Sequence, residues 1–286
     1  KDIRLFTDAE LQVTRTGQVC NDFPDEANVA DISLRLASRL ETRRRRFWAG
    51  NPANALVKVR KLIGLPENLP QPRVKRGGQA QTNWARIDKF TLQRTGDMPV
   101  PALLFRPHGH SGQALDVVVY ADGRGMRNAA HTNGPIQKLV NESTAVFAVD
   151  LRGLCETRGQ GSNAKYHSHA HRVGNVATHI GQPLLGQRVG DLLEVVDYLN
   201  EVGNERVRSI RVIGVGSAGP VALHATALDA RISKVELRNP ALNNWLGDVV
   251  AQPLRREMVD HVVPGALAWY DLPDLARQLG ARLRTR

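Results

Sequence analysis

Ser217 stands in the segment Val212-Ile-Gly-Val-Gly-Ser-Ala-Gly-Pro-Val221, where an apolar run stops, small residues crowd together and a helical pattern begins. A serine on so tight a strand-to-helix turn presents its hydroxyl at the end of a sheet. The helix behind it favours the negative charge that builds on an acyl carbonyl oxygen, so the chemistry this points to is acyl transfer through a serine nucleophile. The spacing departs from Gly-x-Ser-x-Gly, because Val215 occupies the place of the first glycine and Gly214 comes one residue early. The same residues spell Gly214-x-Gly216-x-x-Gly219, a dinucleotide-binding fingerprint, with Glu236 where a ribose-binding acid would fall. Order along the chain separates the two readings. A dinucleotide fold usually carries the fingerprint on its first strand, whereas several predicted strands precede this turn and little chain follows it, so the serine turn is favoured.

The elements that must position Ser217 begin near residue 86. Ile87 to Gln93 alternates apolar and polar residues, Gly96-Asp97 turns, and Val100 to Arg106 completes a hairpin. Leu115 to Ala121, Ala145 to Asp150, Val207 to Gly214 and Ile232 to Leu237 read as buried strands. Helical patterns near 134–141, around Leu192, Leu193, Val196 and Leu199, and over 218–228 alternate with them. Alternating strands and helices imply an α/β fold, a mostly parallel sheet with helices on both faces; an antiparallel hairpin feeding it is the layout of an α/β-hydrolase. Residues 1–85 lack this rhythm and read as a wrap, with a short strand and turn at 11–17 and helices at 28–48 and 54–63, packing on a core of residues 86–286.

Two loops support the serine. Tyr120-Ala-Asp-Gly-Arg-Gly125 follows the third strand, where the backbone N–H of Arg124, with that of Ala218, is placed to serve an oxyanion. After the next strand, Asp150-x-Arg152-Gly153-x-x-Glu156-Thr157 resembles the post-strand loop of α/β-hydrolases of the acetyl-xylan-esterase and prolyl-oligopeptidase-like groups. Leu11 to Gly17, Leu56 to Pro66, Gly186-x-Arg188-x-x-Asp191 and the stretch Val263 to Asp274 resemble, in the same order, further segments of bacterial acetyl-xylan-esterase-like proteins. The resemblance implies a carboxylic-ester hydrolase acting on a small-molecule or acetylated polysaccharide ester, without cofactor or metal.

Such an enzyme needs a histidine base, which in this fold follows the nucleophile and an acid in chain order. Only His224 and His261 follow Ser217. His224 lies two turns along the next helix, which reads as packing, and His261 falls in a lid read over Trp245 to Val263. After the Ile232 strand and a helix over Leu272 to Leu283 no further strand is legible. The expectation is therefore a hydrolase core whose last strands lie beyond Arg286, with little or no esterase activity of its own and an open sheet edge that a second copy or another chain covers. A non-catalytic hydrolase-like protein is the companion reading. Tyr166-His-Ser-His-Ala-His171, with Asp150 and His179, offers zinc ligands as another alternative, but a polar lid loop explains it without a metal.

The net charge of +11 and pI near 10.2 come mostly from dispersed arginines, and the single dense run, Arg43 to Arg46, reads as a solvated helix end, so nucleic acid is not expected as a partner. No apolar run is long enough to span a bilayer. Cys20 and Cys155 make no disulfide framework. The compartment stays open, with export after removal of a leader among the options.

Overall fold

The computed structural model describes residues 3–109, 114–140, 144–159, 169–202, 207–255 and 258–286. Its centre is the pair of strands β4 (Leu115–Asp122) and β5 (Ala145–Val149), whose residues are almost all buried. Both faces of these strands are covered, which is why they appear in sequence as unbroken apolar runs. On one face Val117, Val119 and Phe147 meet α7 (Leu184–Asp197), α8 (Ala218–Leu228), α9 (Leu272–Leu279) and α4 (Pro52–Leu62). On the other, Val118, Tyr120 and Val146 meet α5 (Pro135–Val140) and Met126.

The remaining strands are β1 (Arg73–Gln81), β2 (Arg86–Gln93), β3 (Val100–Arg106), β6 (Val207–Val215), β7 (Ile232–Arg238) and β8 (Leu283–Thr285). They assemble with the central pair in the order β1-β2-β3-β5-β4-β6-β7-β8. β1 to β3 are antiparallel and β3 meets β5 antiparallel, while β5, β4, β6, β7 and β8 run parallel. The chain moves from β4 outward to β5 and then returns to the opposite side of β4 as β6. Such a reversal is where an open α/β sheet ordinarily forms its ligand crevice, here at the carboxyl ends of β4 and β6.

Three expectations are corrected. Residues 12–17 form no strand; α1 (Asp8–Leu11) precedes them instead. The stretch before residue 86 contributes a sheet strand, β1, with a bulge between Arg76 and Gly78 at which Gly78 takes φ +108. The sheet also does not stop at β7, because Leu283 pairs with Val235 and Thr285 with Leu237. The open edge expected at the Ile232 strand is thus covered by the chain itself. The helices over 28–48 and 54–63 are α3 (Val29–Gly50) and α4. Asn28 caps α3 through the Ala30 and Asp31 N–H groups, and Asn51 caps α4 through that of Asn54.

Candidate active site

At the carboxyl end of β6 the chain turns sharply into α8, and the left-handed residue of that turn is Gly216, at φ +59. Ser217 follows with an ordinary right-handed conformation, φ −66 and ψ −16. The sequence reading set Ser217 at the strained apex, whereas in the structure the apex lies one residue earlier. Packing fixes this register. A Cβ on Gly214 would come within 2.7 Å of the Ala218 carbonyl oxygen and 2.6 Å of the Ala222 Cβ, so the strand end touching the helix must be glycine. Counted from Gly214, the third place of a Gly-x-Ser-x-Gly turn is Gly216, and Ala218 takes the last glycine's place. A Cβ built on Gly216 would meet nothing within 4 Å, so the direction a nucleophile would take from the apex is open. The backbone is held by Gly216 N–H donating to the Arg238 carbonyl (3.0 Å) and Ala241 N–H donating to the Gly216 carbonyl (2.9 Å).

Ser217 lies against the loop after β4. Gly123 N–H donates to the Val215 carbonyl at 2.9 Å, and a Cβ on Gly123 would overlap the Ser217 hydroxyl and approach its backbone N to 2.7 Å. The Ser217 side chain does not cap α8. Among the described residues, the N–H groups of Ser217 and Ala218 have no acceptor, as expected at the start of an uncapped helix. They can receive a carbonyl oxygen or an anion. The Arg124 N–H is not free for that role, because it already donates to Asp122 Oδ1 at 2.8 Å. The Arg124 side chain is 70% exposed.

Behind these loops Asp150 is fully buried and accepts from Met126 N–H (2.6 Å) and Glu156 N–H (3.2 Å), tying the β5 loop to the β4 loop. Arg152 holds Asp191 through its Nε (2.9 Å) and its backbone N–H (2.8 Å), and Arg188 Nε donates to the Arg152 carbonyl at 3.0 Å. Two of the motifs that carried the resemblance thus meet, as a clamp between the β5 loop and α7. Cys155 sits beside Gly125 at φ +46. Desolvation and the adjacent Asp150 push its thiol above the ordinary cysteine range, which keeps it protonated.

Neither later histidine is hydrogen-bonded to Ser217. His224 Nδ1 bonds the Pro220 carbonyl (2.7 Å) and Nε2 bonds the Tyr270 hydroxyl (3.0 Å), and burial pushes its pKa down to about 4. His261 is buried, with Asp260 3.7 Å from its Nε2 and its Nδ1 without a partner. Burial lowers its pKa as well. Glu236, the acid of the dinucleotide reading, accepts from Arg238 Nε at 2.7 Å and faces Arg286 at 3.3 Å. Of the zinc alternative, residues 166–168 lie outside the described residues; His171 and His179 fall in α6 (His169–His179). No group of three metal-ligating side chains occurs among the described residues. No helix there is long and apolar enough to cross a membrane.

No family model matches the sequence, and no curated protein does. Solved structures resemble the fold. A protein of Bacteroides fragilis NCTC 9343 that carries the provisional name acetyl xylan esterase superposes with a TM-score of 0.68 at 14% identity, over 91% of this chain and 75% of that one. The glucuronoyl esterase of Solibacter usitatus gives 0.56 at 13% identity, over 83% and 74%. The acetyl xylan esterase of Paenibacillus sp. R4 gives 0.50 at 17%, over 81% and 75%. The fold is of the α/β-hydrolase type, and these three structures carry esterase names.

Proposed function

We propose that the crevice at the ends of β4 and β6 binds a carboxylic ester, of the acetylated or uronoyl saccharide kind that its structural neighbours are named for, without carrying out acyl transfer through a serine. The observation that carries this is Gly216 at the apex of the turn, at φ +59 with open space along its Cβ direction. The N–H groups of Ser217 and Ala218 receive the ester carbonyl oxygen, as an oxyanion hole does. Attack would need a hydroxyl at the apex with a base beside it. Ser217 instead turns its hydroxyl toward Gly123, and neither His224 nor His261 is hydrogen-bonded to it.

Three measurements on the 286-residue chain test this: calorimetric titration with acetylated xylo-oligosaccharides, turnover of 4-nitrophenyl acetate, and labelling by a fluorophosphonate probe. The expected outcome is saturable binding, hydrolysis no faster than buffer and an unlabelled serine. Labelling that disappears in Ser217→Ala would make Ser217 the acyl nucleophile after all. Absence of any saccharide binding would remove the ester ligand.

A further inference from the structure

We infer that the first half of α3, with the segment before it, is a dimerisation surface that pairs with the same surface of a second copy of this chain. Of the fifteen large apolar side chains exposed among the described residues, eleven lie between Ile3 and Leu36. On α3 they form a stripe at helical spacing: Val29 is 79% exposed, Ile32 57% and Leu36 56%. The second half of the same helix is anchored, with Arg44 paired to Asp274 at 3.0 Å and Trp48 donating to the Trp269 carbonyl at 2.9 Å. The first half buries none of its residues before Ala37, and α1 and α2 (Val19–Asp22) bury none at all.

The eleven side chains leave apolar area on the order of 1,000 Å² in water. A stable interface takes roughly 800 Å² from each partner. Charge selects a second copy as the occupant. Residues 3–36 carry six acidic and three basic side chains inside a chain of net charge +11, and the next turns of α3 carry Arg39, Arg43, Arg45 and Arg46. α3 is 22 residues long, about 33 Å. Laid antiparallel across a two-fold axis near Ile32, two such helices set Leu36 beside the partner's Val29 and Arg39 beside the partner's Glu26. A closed, self-complementary contact of this kind is the commonest way for a chain to dimerise. Arg39 and Glu26 are both exposed, and neither has an ion-pair partner among the described residues.

Sedimentation velocity across protein concentration tests this. The wild-type chain is expected to be a dimer at micromolar concentration, with Kd raised at least about 30-fold in Ile32→Asp/Leu36→Asp. Both sites are exposed in the monomer, so circular dichroism should be unchanged. Arg39→Glu and Glu26→Arg should each weaken the dimer several-fold, and the double swap should restore it. A wild-type chain that stays monomeric at roughly 100 µM overturns the inference. A dimer indifferent to Ile32→Asp/Leu36→Asp, or a double swap as weak as either single variant, overturns it too.

Discussion

Gly123→Ala is expected to disable the crevice, weakening any ligand bound at the turn on the order of 100-fold and costing about 1–3 kcal/mol of stability by overpacking. The new methyl would overlap the Ser217 hydroxyl and stand 2.7 Å from the Ser217 backbone N. Rotating the hydroxyl away relieves only the first clash. The second is with backbone, so the β4 loop or the start of α8 must shift, and with it the two N–H groups proposed to receive the ester. Gly216→Ala is the matched control. Its methyl enters open space, but φ +59 costs an L-residue about 1–2 kcal/mol. Urea unfolding of the two variants, with saccharide titration of each, separates them. If Gly123→Ala bound saccharide as tightly as wild type, the contact between the β4 loop and Ser217 would not shape the site.

The apex glycine was legible, but only to a reader who counted from the right residue. Gly214 looked one position early as long as Ser217 was assumed to be the apex. The contact of Gly214 with the Ala218 carbonyl, which fixes the count, exists only once β6 has met α8. β4 and β5 were readable because burial on both faces makes them continuously apolar, and α8 was readable to both of its ends. β1 was not: Arg73 to Gln81 carries no apolar alternation and is exposed along nearly all its length, so only backbone pairing to β2 makes it a strand. β8 is too short to show a period. The Arg152–Asp191 clamp joins residues 39 positions apart, which no local pattern reveals. Nor could sequence tell that the Arg124 N–H would be taken by its neighbour Asp122.

The same blindness to long-range pairing hides a pH effect expected of the fold. Glu194 lies on α7 with no solvent exposure, and neither carboxylate oxygen has a hydrogen-bond partner. Burial pushes its pKa up to about 7; Arg94, 3.8 Å away, opposes the shift, while Asp191 and Asp97 add to it and Arg152 again opposes it. Arg94 itself is committed to Asp197, the Pro70 carbonyl and the Gly190 carbonyl. A carboxyl with a raised folded pKa holds its proton more tightly when folded. Its contribution is therefore fully present below the unfolded value near 4.5 and is lost as pH rises through about 7. Glu194→Gln keeps the shape and removes the charge. It should leave stability at pH 4.5 nearly unchanged and raise it at pH 8 by about 1–3 kcal/mol. Because His224 and His261 titrate in both proteins, the quantity to measure is the difference between variant and wild type, by urea unfolding at each pH. An equal gain at both values would mean that the glutamate acts through shape rather than ionisation. A loss at pH 8 would mean that the Arg94 pair outweighs the burial of the charge, since removing one partner of a well-made buried pair is what destabilises.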